Sequence, residues 1–364
     1  MKSFARLTPL LLAFLLVSLS GQKNSLASRG TLELGTLRVL TLNIFAGTRE
    51  MDFDRLERQM RAVRSLNPDI VCLQEVYDHR VRARYQSEFG DFSFYGYDHD
   101  SPSSLLRGMA GLAANTKGEK ALVYGYETDA LLLLNNHRGI SFPESKDART
   151  LPNMSPEADS FSVRNTILSW GVSALETLKP KGYVSVRYQV DGVDLTVANM
   201  RLTNGVHNPK RIHQVQAVVA GLFHNEDMEK PVSRNYAPII LCGDTNSDGN
   251  EPDMRWMRTK AGFHDTFLEV NPDPGRTPHR GMTWSIDNTL SHNGNLSEPD
   301  QRVDYILYVS GDEYTFKTLE SRIVLDETPF VSDHFAVLTE LQLVRNEECT
   351  PSGVVLGTTA CKKQ

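Results

Sequence analysis

The chain is poor in the features that settle a function early. Of its 364 residues only four are cysteine, and none of their spacings matches a zinc site. Positive charge is not in excess: 39 Lys and Arg face 45 Asp and Glu, for a formal net charge of −6. Such a chain has no bulk attraction for a nucleic-acid backbone or an anionic membrane, which argues against a sequence-reading DNA binder. It leaves room for an enzyme that meets phosphate at one local metal site. There is no internal repeat, and the apolar run Leu10–Val17 is too short to cross a bilayer.

What is present begins with "MKSFARLTPLLLAFLLVSLSGQ". Lys2 and Arg6 precede the apolar run, and small residues follow it, the layout of a secretory signal peptide over residues 1–21. A secreted or periplasmic protein is expected, with an uncleaved anchor as the alternative. Loss of Lys2 and Arg6 would take the net charge from −6 to −8. A polar linker follows over residues 22–35, then one domain over 36–345 and a tail over 346–364. Cys72 and Cys242 lie in strand-like runs and read as small buried thiols. Cys349 and Cys361, in the tail, either close a short disulfide loop or stay free.

"LRVLTLN" reads as a buried strand. In "FDRLERQMRAVRSLNPD", Phe53, Leu56, Met60, Val63 and Leu66 recur at helical spacing, with the arginines between them expected to face solvent. Asn67-Pro68 stops that helix and "DIVCLQ" begins another strand. "ALLLLN" is a strand, whereas "FPESKDARTLPNMSPEADS" reads as a long polar loop. "YVSVRYQV" and "VDLTVANM" flank Asp191-Gly192 as a hairpin. "PKRIHQVQAVVAGLF" and "DMRWMRTKAGF" read as helices, and "APIILCGD", "RVDYILYV" and "HFAVLTELQLV" as strands. Alternation of strands and helices without an obvious break predicts one layered α/β domain.

Several strands end on, or start from, a residue able to bind metal or phosphate. "VLTLN" ends at Asn43 and "VCLQE" at Glu75. "IILCGDTN" delivers Asp244 and Asn246, "RVDYIL" carries Asp304, and "SDHFAV" opens with Asp333 and His334. Taken singly, each is an ordinary turn former or solvated strand end. Taken together they are hard oxygen donors of the type that suits Mg²⁺ or Mn²⁺, which complete their shell with water and substrate phosphate.

"TLNIFAG", "LQEV", "VANMRL", "GDTN", "RVDYIL" and "SDHFAV" occur in that order between Leu37 and about Val344. In these stretches the chain resembles the endonuclease/exonuclease/phosphatase superfamily of metal-dependent phosphoesterases. The resemblance implies a four-layered α/β sandwich, two packed mixed sheets with helices on the outer faces. It implies Glu75 as the main metal ligand, with Asn43 and Asp333 completing or supporting the site. It implies Asp244 orienting or deprotonating the attacking water and Asn246 holding a phosphate oxygen. His334 would contact the phosphate or help the leaving oxygen depart, its tautomer set by Asp304. The cofactor implied is Mg²⁺, or Mn²⁺.

The chain departs from the pattern at one place. Many members read Asn-x-His-Leu where this chain has Asn199-Met200-Arg201-Leu202. Asn199 and Arg201 are the expected phosphate contacts, but Arg stays protonated and cannot serve as a general acid near neutral pH. Arg201 is then a fixed cation on a phosphate oxygen, a structural residue, or the mark of an inactive site, and His207 could swing in instead.

"ALETLKPKGYVSVRY", "GMTWSIDNTLS" and "QRVDYIL" look like the neutral sphingomyelinase branch. That implies a phosphodiester substrate of the phospholipid type at a membrane surface, with nucleic acid as the rival. Trp284 would line the substrate mouth or pack under a loop, and Tyr183 is expected in the core. "DFSFYGYDH" and "SSLLRGMAGLAAN" either dip into a lipid interface or are packed connections. The cations a nuclease would use, Arg201, Lys210, Arg211 and Arg280, are sparse, and Lys210 and Arg211 can be read as solvated. A non-catalytic binding protein on the same scaffold is the reading from a different class, and no protein partner can be inferred.

Overall fold

Strands buried on both faces dictate the architecture. The computed structural model describes residues 34–46, 52–76, 79–96, 130–150, 182–204, 209–223, 237–291 and 299–346. The segment read as a signal peptide, the tail over 347–364 with Cys349 and Cys361, His207, the end of "DFSFYGYDH" over 97–99 and the stretch 103–115 lie outside the described residues. The chain runs β1 (Thr36–Asn43), α1 (Phe53–Ser65), β2 (Ile70–Gln74), α2 (His79–Glu88), β3 (Phe92–Tyr95) and β4 (Leu131–Asn135). It continues with β5 (Ile140–Thr150), β6 (Gly182–Val190), β7 (Val193–Arg201), α3 (Lys210–Leu222), β8 (Ile239–Asp244) and α4 (Pro252–Thr259). Last come β9 (His264–Asp265), α5 (Thr266–Val270), β10 (Asp304–Val309), β11 (Tyr314–Val324) and β12 (Ala336–Arg345).

These strands form two six-stranded sheets, ordered β11-β12-β1-β2-β4-β3 and β5-β6-β7-β8-β10-β9. Both are mixed. β1 and β2 are parallel in the first sheet, β7 and β8 in the second, and the other pairings are antiparallel. Leu37, Val39, Ile70 and Cys72 of one sheet meet Leu195, Val197, Ile240 and Cys242 of the other in a dry layer between them. The alternate residues Leu40, Leu42, Val71 and Leu73 bury against α1 and α2, while Met200, Ile239 and Leu241 bury against α3 and α4. Helix, sheet, sheet, helix is the four-layered α/β sandwich.

Local chemistry explains the elements, and in places corrects the reading from sequence. Asp52 caps α1 by accepting the Arg55 amide at 2.8 Å, and Leu56, Met60 and Val63 form its buried stripe. Arg58 and Arg61 face solvent as expected, but Arg55 is buried. Its guanidinium donates to the carbonyls of Val331 at 2.6 Å and Phe45 at 2.8 Å, supplying donors to two loop ends. The expected polar loop over 142–160 begins instead inside β5, whose pairing to β6 shifts register between Phe142 and Asp147. An edge strand accepts polar residues and a proline because one of its sides needs no partner. "DFSFY" is also a sheet edge, with Phe92 and Tyr95 buried, rather than a loop reaching for lipid. Tyr183 is in the core as expected.

One glycine decides how closely β7 and β8 approach. Gly243 has φ +151°, and a Cβ there would meet the Met200 carbonyl oxygen at 2.1 Å. This approach sets Arg201 directly opposite Asp244. Gly243→Ala should destabilise the protein by more than about 2 kcal/mol, read from urea unfolding, because both the clash and the strained φ act on the same residue. An unchanged midpoint would contradict it.

Candidate active site

The inward-facing rows that form the dry layer all turn polar at one rim. Val39, Thr41 and Asn43 share a face of β1, and Ile70, Cys72 and Gln74 share one of β2. Val197, Asn199 and Arg201 do the same on β7, and Ile240, Cys242 and Asp244 on β8. β10 and β12 run antiparallel to β8 and β1, so they start where those strands end. Asp304 pairs with Asp244 and Val337 with Thr41, which brings Asp333 and His334 to the same rim. Strict alternation would turn Glu75 away from this row. Its φ of +65° breaks the alternation and swings the carboxylate inward.

The side chains meet in a dense polar knot. Asp244 Oδ2 accepts from Asn43 Nδ2 at 3.0 Å and Asn246 Nδ2 at 3.2 Å, and Arg201 Nε lies 3.5 Å from it. Its Oδ1 accepts the Asn246 amide at 2.9 Å. Arg201 Nη2 forms an ion pair with Glu75. His334 Nδ1 bonds Asp304 Oδ2 at 2.8 Å, and its Nε2 lies 3.5 Å from Asn43 Nδ2. Asn43, Asp244, Asp304, Arg201 and His334 are buried, whereas Glu75, Asn246 and Asp333 are half-buried.

No protein-family model and no curated protein matches the chain. Solved structures do. The chain is similar to D. rerio TDP2 complexed with a single-stranded DNA product, at 14% identity and a TM-score of 0.56, over 84% of this chain and 99% of that one. It is similar to the human Nocturnin catalytic domain with bound sulfate, at 14% identity and 0.53, over 85% and 95%. A third is an endonuclease/exonuclease/phosphatase from Bacteroides vulgatus, at 15% identity and 0.54, over 85% and 99%. This chain has the endonuclease/exonuclease/phosphatase fold.

Within that fold the expected residues fare differently. Glu75, Asn43, Asp244, Asn246, Asp304, Asp333, His334 and Arg201 converge at the rim. Asn199 stands behind it. Its amide donates to the carbonyls of Leu73 at 2.8 Å and Leu131 at 3.0 Å, and its oxygen accepts from Gln74 at 2.7 Å. With both N–H groups committed and no exposed surface, it ties the sheets together and is not placed to hold a phosphate. Arg211 is not solvated: it is buried, with Asp253 at 3.3 Å and Glu251 at 3.8 Å. Arg280 is exposed.

Sequence reasoning missed a supporting set. Gln74 also bonds Thr41 at 3.0 Å, and Ser332 Oγ holds the Asn43 carbonyl at 2.6 Å. Gln59, one turn from Arg55, shares the Val331 carbonyl at 2.9 Å. The "GMTWSIDN" segment braces the site from the side. Thr283 Oγ1 accepts the Asp304 amide at 3.1 Å, Asn288 donates to the Ser332 carbonyl at 2.8 Å, and half-buried Trp284 bridges by its backbone to His334. The legible signal for Gln59 and Arg55 was their i, i+4 position beside the apolar stripe.

Charge here is far from balanced. Burial works against a charged His334, but Asp304, Asp333 and Asp244 outweigh it and lift the imidazole to about 10. Burial drives Asp333 up to about 7, with Glu75 and Asp244 pushing the same way and His334 and Arg55 opposing. Burial also raises Asp304. Asp304 Oδ1 is buried with no hydrogen-bond partner, as is Gln74 Oε1. Mutually repelling buried carboxylates are a donor set that a hard dication relieves, so the residues fit a divalent cation. Asp244, Asp304 and His334 place donor atoms within 4.8 Å of one another. His334 Nδ1 is already bonded to Asp304, and the donors the sequence pattern implies for a metal are Glu75, Asp333 and the Asn43 oxygen.

Native Asp333 keeps its proton to about pH 7, above an unfolded carboxyl near ~3.9, so its ionisation costs stability as pH rises across that window. The His334 contribution is complete below the unfolded imidazole value of ~6.5 and is lost as pH rises through about 10. In chelator, the Tm should therefore fall steadily from about pH 5 to about pH 10, and Asp333→Asn should flatten the lower half of the fall. A Tm that climbs over this range in scanning calorimetry would refute the charge assignment.

Proposed function

We propose that the chain is a secreted, divalent-metal-dependent phosphodiesterase. The observation that carries this is the convergence of Glu75, Asp244, Asp333 and Asp304 with His334 and Arg201 at one rim of the sandwich. The bound dication would be held by Glu75, Asp333 and Asn43, and it would neutralise phosphate charge and polarise water. Asp244 faces the incoming water with its orientation set by Asn43 and Asn246. Asn246 serves first as that brace, since its N–H groups point to Leu202 and Asp244. The His334 imidazolium presents Nε2–H to the departing oxygen, while Asp304 holds Nδ1–H and fixes the ring. The proton given up at Nε2 is recovered from solvent in the next cycle. Secretion rests on the N-terminal segment read above.

The substrate proposed is a phospholipid of the sphingomyelin or phosphatidylcholine type. It is supported by the acidic net charge and by the "GMTWSIDN" segment, which sets Trp284 beside His334 and leaves Ile286 44% exposed. A nuclease is the second reading, favoured by the DNA product in the TDP2 neighbour.

A panel of sphingomyelin and phosphatidylcholine liposomes, plasmid DNA and RNA, with Mg²⁺, Mn²⁺ or chelator, separates these readings. Lipid hydrolysis that chelator abolishes is expected. Cleavage of DNA or RNA alone would move the assignment to the nuclease. Hydrolysis of nothing in the panel, together with unchanged binding properties in Glu75→Ala, would leave only a binding protein. In the active enzyme, His334→Ala should lower kcat by about 10²–10⁴-fold, the range for loss of a general acid.

A further inference from the structure

Arg201 occupies a place that a metal would contest. It is the residue where this chain departs from the pattern it resembles, and it is 4% exposed. Its Nη2 is paired with Glu75 and its Nε stands 3.5 Å from Asp244, so one guanidinium bridges two of the carboxylates proposed to work with the metal. Glu75 is turned toward it by a left-handed backbone (φ +65°), which orients the carboxylate oxygens into the space Arg201 fills. A buried carboxylate cluster without countercharge is strongly unfavourable, and a guanidinium is well suited to neutralise it because its charge is permanent and weakly hydrated.

Two cations cannot share one carboxylate oxygen at contact distance without strong repulsion in a poorly solvated site. We infer that Arg201 is a resident counter-cation that competes with the divalent metal for Glu75, so that metal binding frees the guanidinium to turn toward the phosphate anion. The inference rests on the metal-dependent reading above. Arg201 then does two jobs in sequence. It keeps the carboxylates together when no metal is bound, and it becomes an anion contact once the metal has taken Glu75. Asn246 and Asn43 hold Asp244 by contacts that do not involve Arg201, so the orientation of Asp244 does not depend on the guanidinium staying in place.

The test is direct binding of Mn²⁺ alone, followed by loss of the free-ion electron paramagnetic resonance signal, to wild type, Arg201→Gln and Arg201→His. Each variant is first checked for the wild-type circular dichroism spectrum, and Arg201→His supplies a second chance if the amide variant does not fold. Expected is Mn²⁺ binding at least about 10-fold tighter in the variants than in wild type. The variants should also show a lower Tm than wild type in chelator and a larger rise in Tm on adding Mn²⁺. Mn²⁺ binding by wild type with an unchanged or weaker Kd in the variants overturns the inference and leaves the metal-dependent reading standing. No Mn²⁺ binding by any of the three proteins overturns both.

Discussion

The structure depends on how four acidic side chains are kept together at the end of a dry layer. Glu75, Asp244, Asp304 and Asp333 lie where the inter-sheet core stops, in surroundings that pushed Asp333 to about 7 and raised Asp304. Left alone they would drive the two sheets apart at that rim. The molecule opposes this with Arg201 between Glu75 and Asp244, His334 against Asp304, and Arg55 beneath Asp333. Each of these cations is itself buried, so removal of either side of a pair leaves an uncompensated charge, the expensive case for a buried ion pair.

A second tier explains why the first can be held in place. Arg55 and Gln59 reach from a helix on the outer face through to the Val331 carbonyl, tying the loop after β1 to the loop before β12. Asn199 and Gln74 cross from one sheet to the other immediately behind the rim. Thr283 and Asn288 brace Asp304 and Ser332 from the remaining side. Gln74 Oε1 apart, the buried polar atoms of this tier have committed partners, the condition under which buried polarity adds rigidity instead of cost. Rigid support of this kind is what an in-line displacement requires, since misplacement of a reacting group by about 1 Å forfeits much of the gain from orientation.

The sequence was most legible where period and residue chemistry agreed. The Asp191-Gly192 hairpin, the stripe of α1 and the strands ending at Asn43, Gln74 and Asp244 are all where periodicity put them. It was least legible at sheet edges. β5 and β11 carry polar, irregular sequences because an edge strand has one backbone side without a neighbouring strand, and each also contains a register shift. No local pattern marks such a strand. Its partner does.

The same division runs through the site. The sequence by itself determined which residues carry hard donors, that they stand at strand ends, and the order in which they come. Those facts follow from local alternation and turn chemistry, which act over a few residues. Only the tertiary structure decided which donors face inward, because that depends on strand direction across two sheets and on one left-handed residue at Glu75. It moved Asn199 from the rim to the wall, took Arg55 out of solvent, and set Arg201 between two carboxylates that lie 126 and 43 positions away along the chain. The contact to Asp244 is made by the pairing of β7 with β8 and the contact to Glu75 by the packing of one sheet on the other, and no local rule in the chain encodes either.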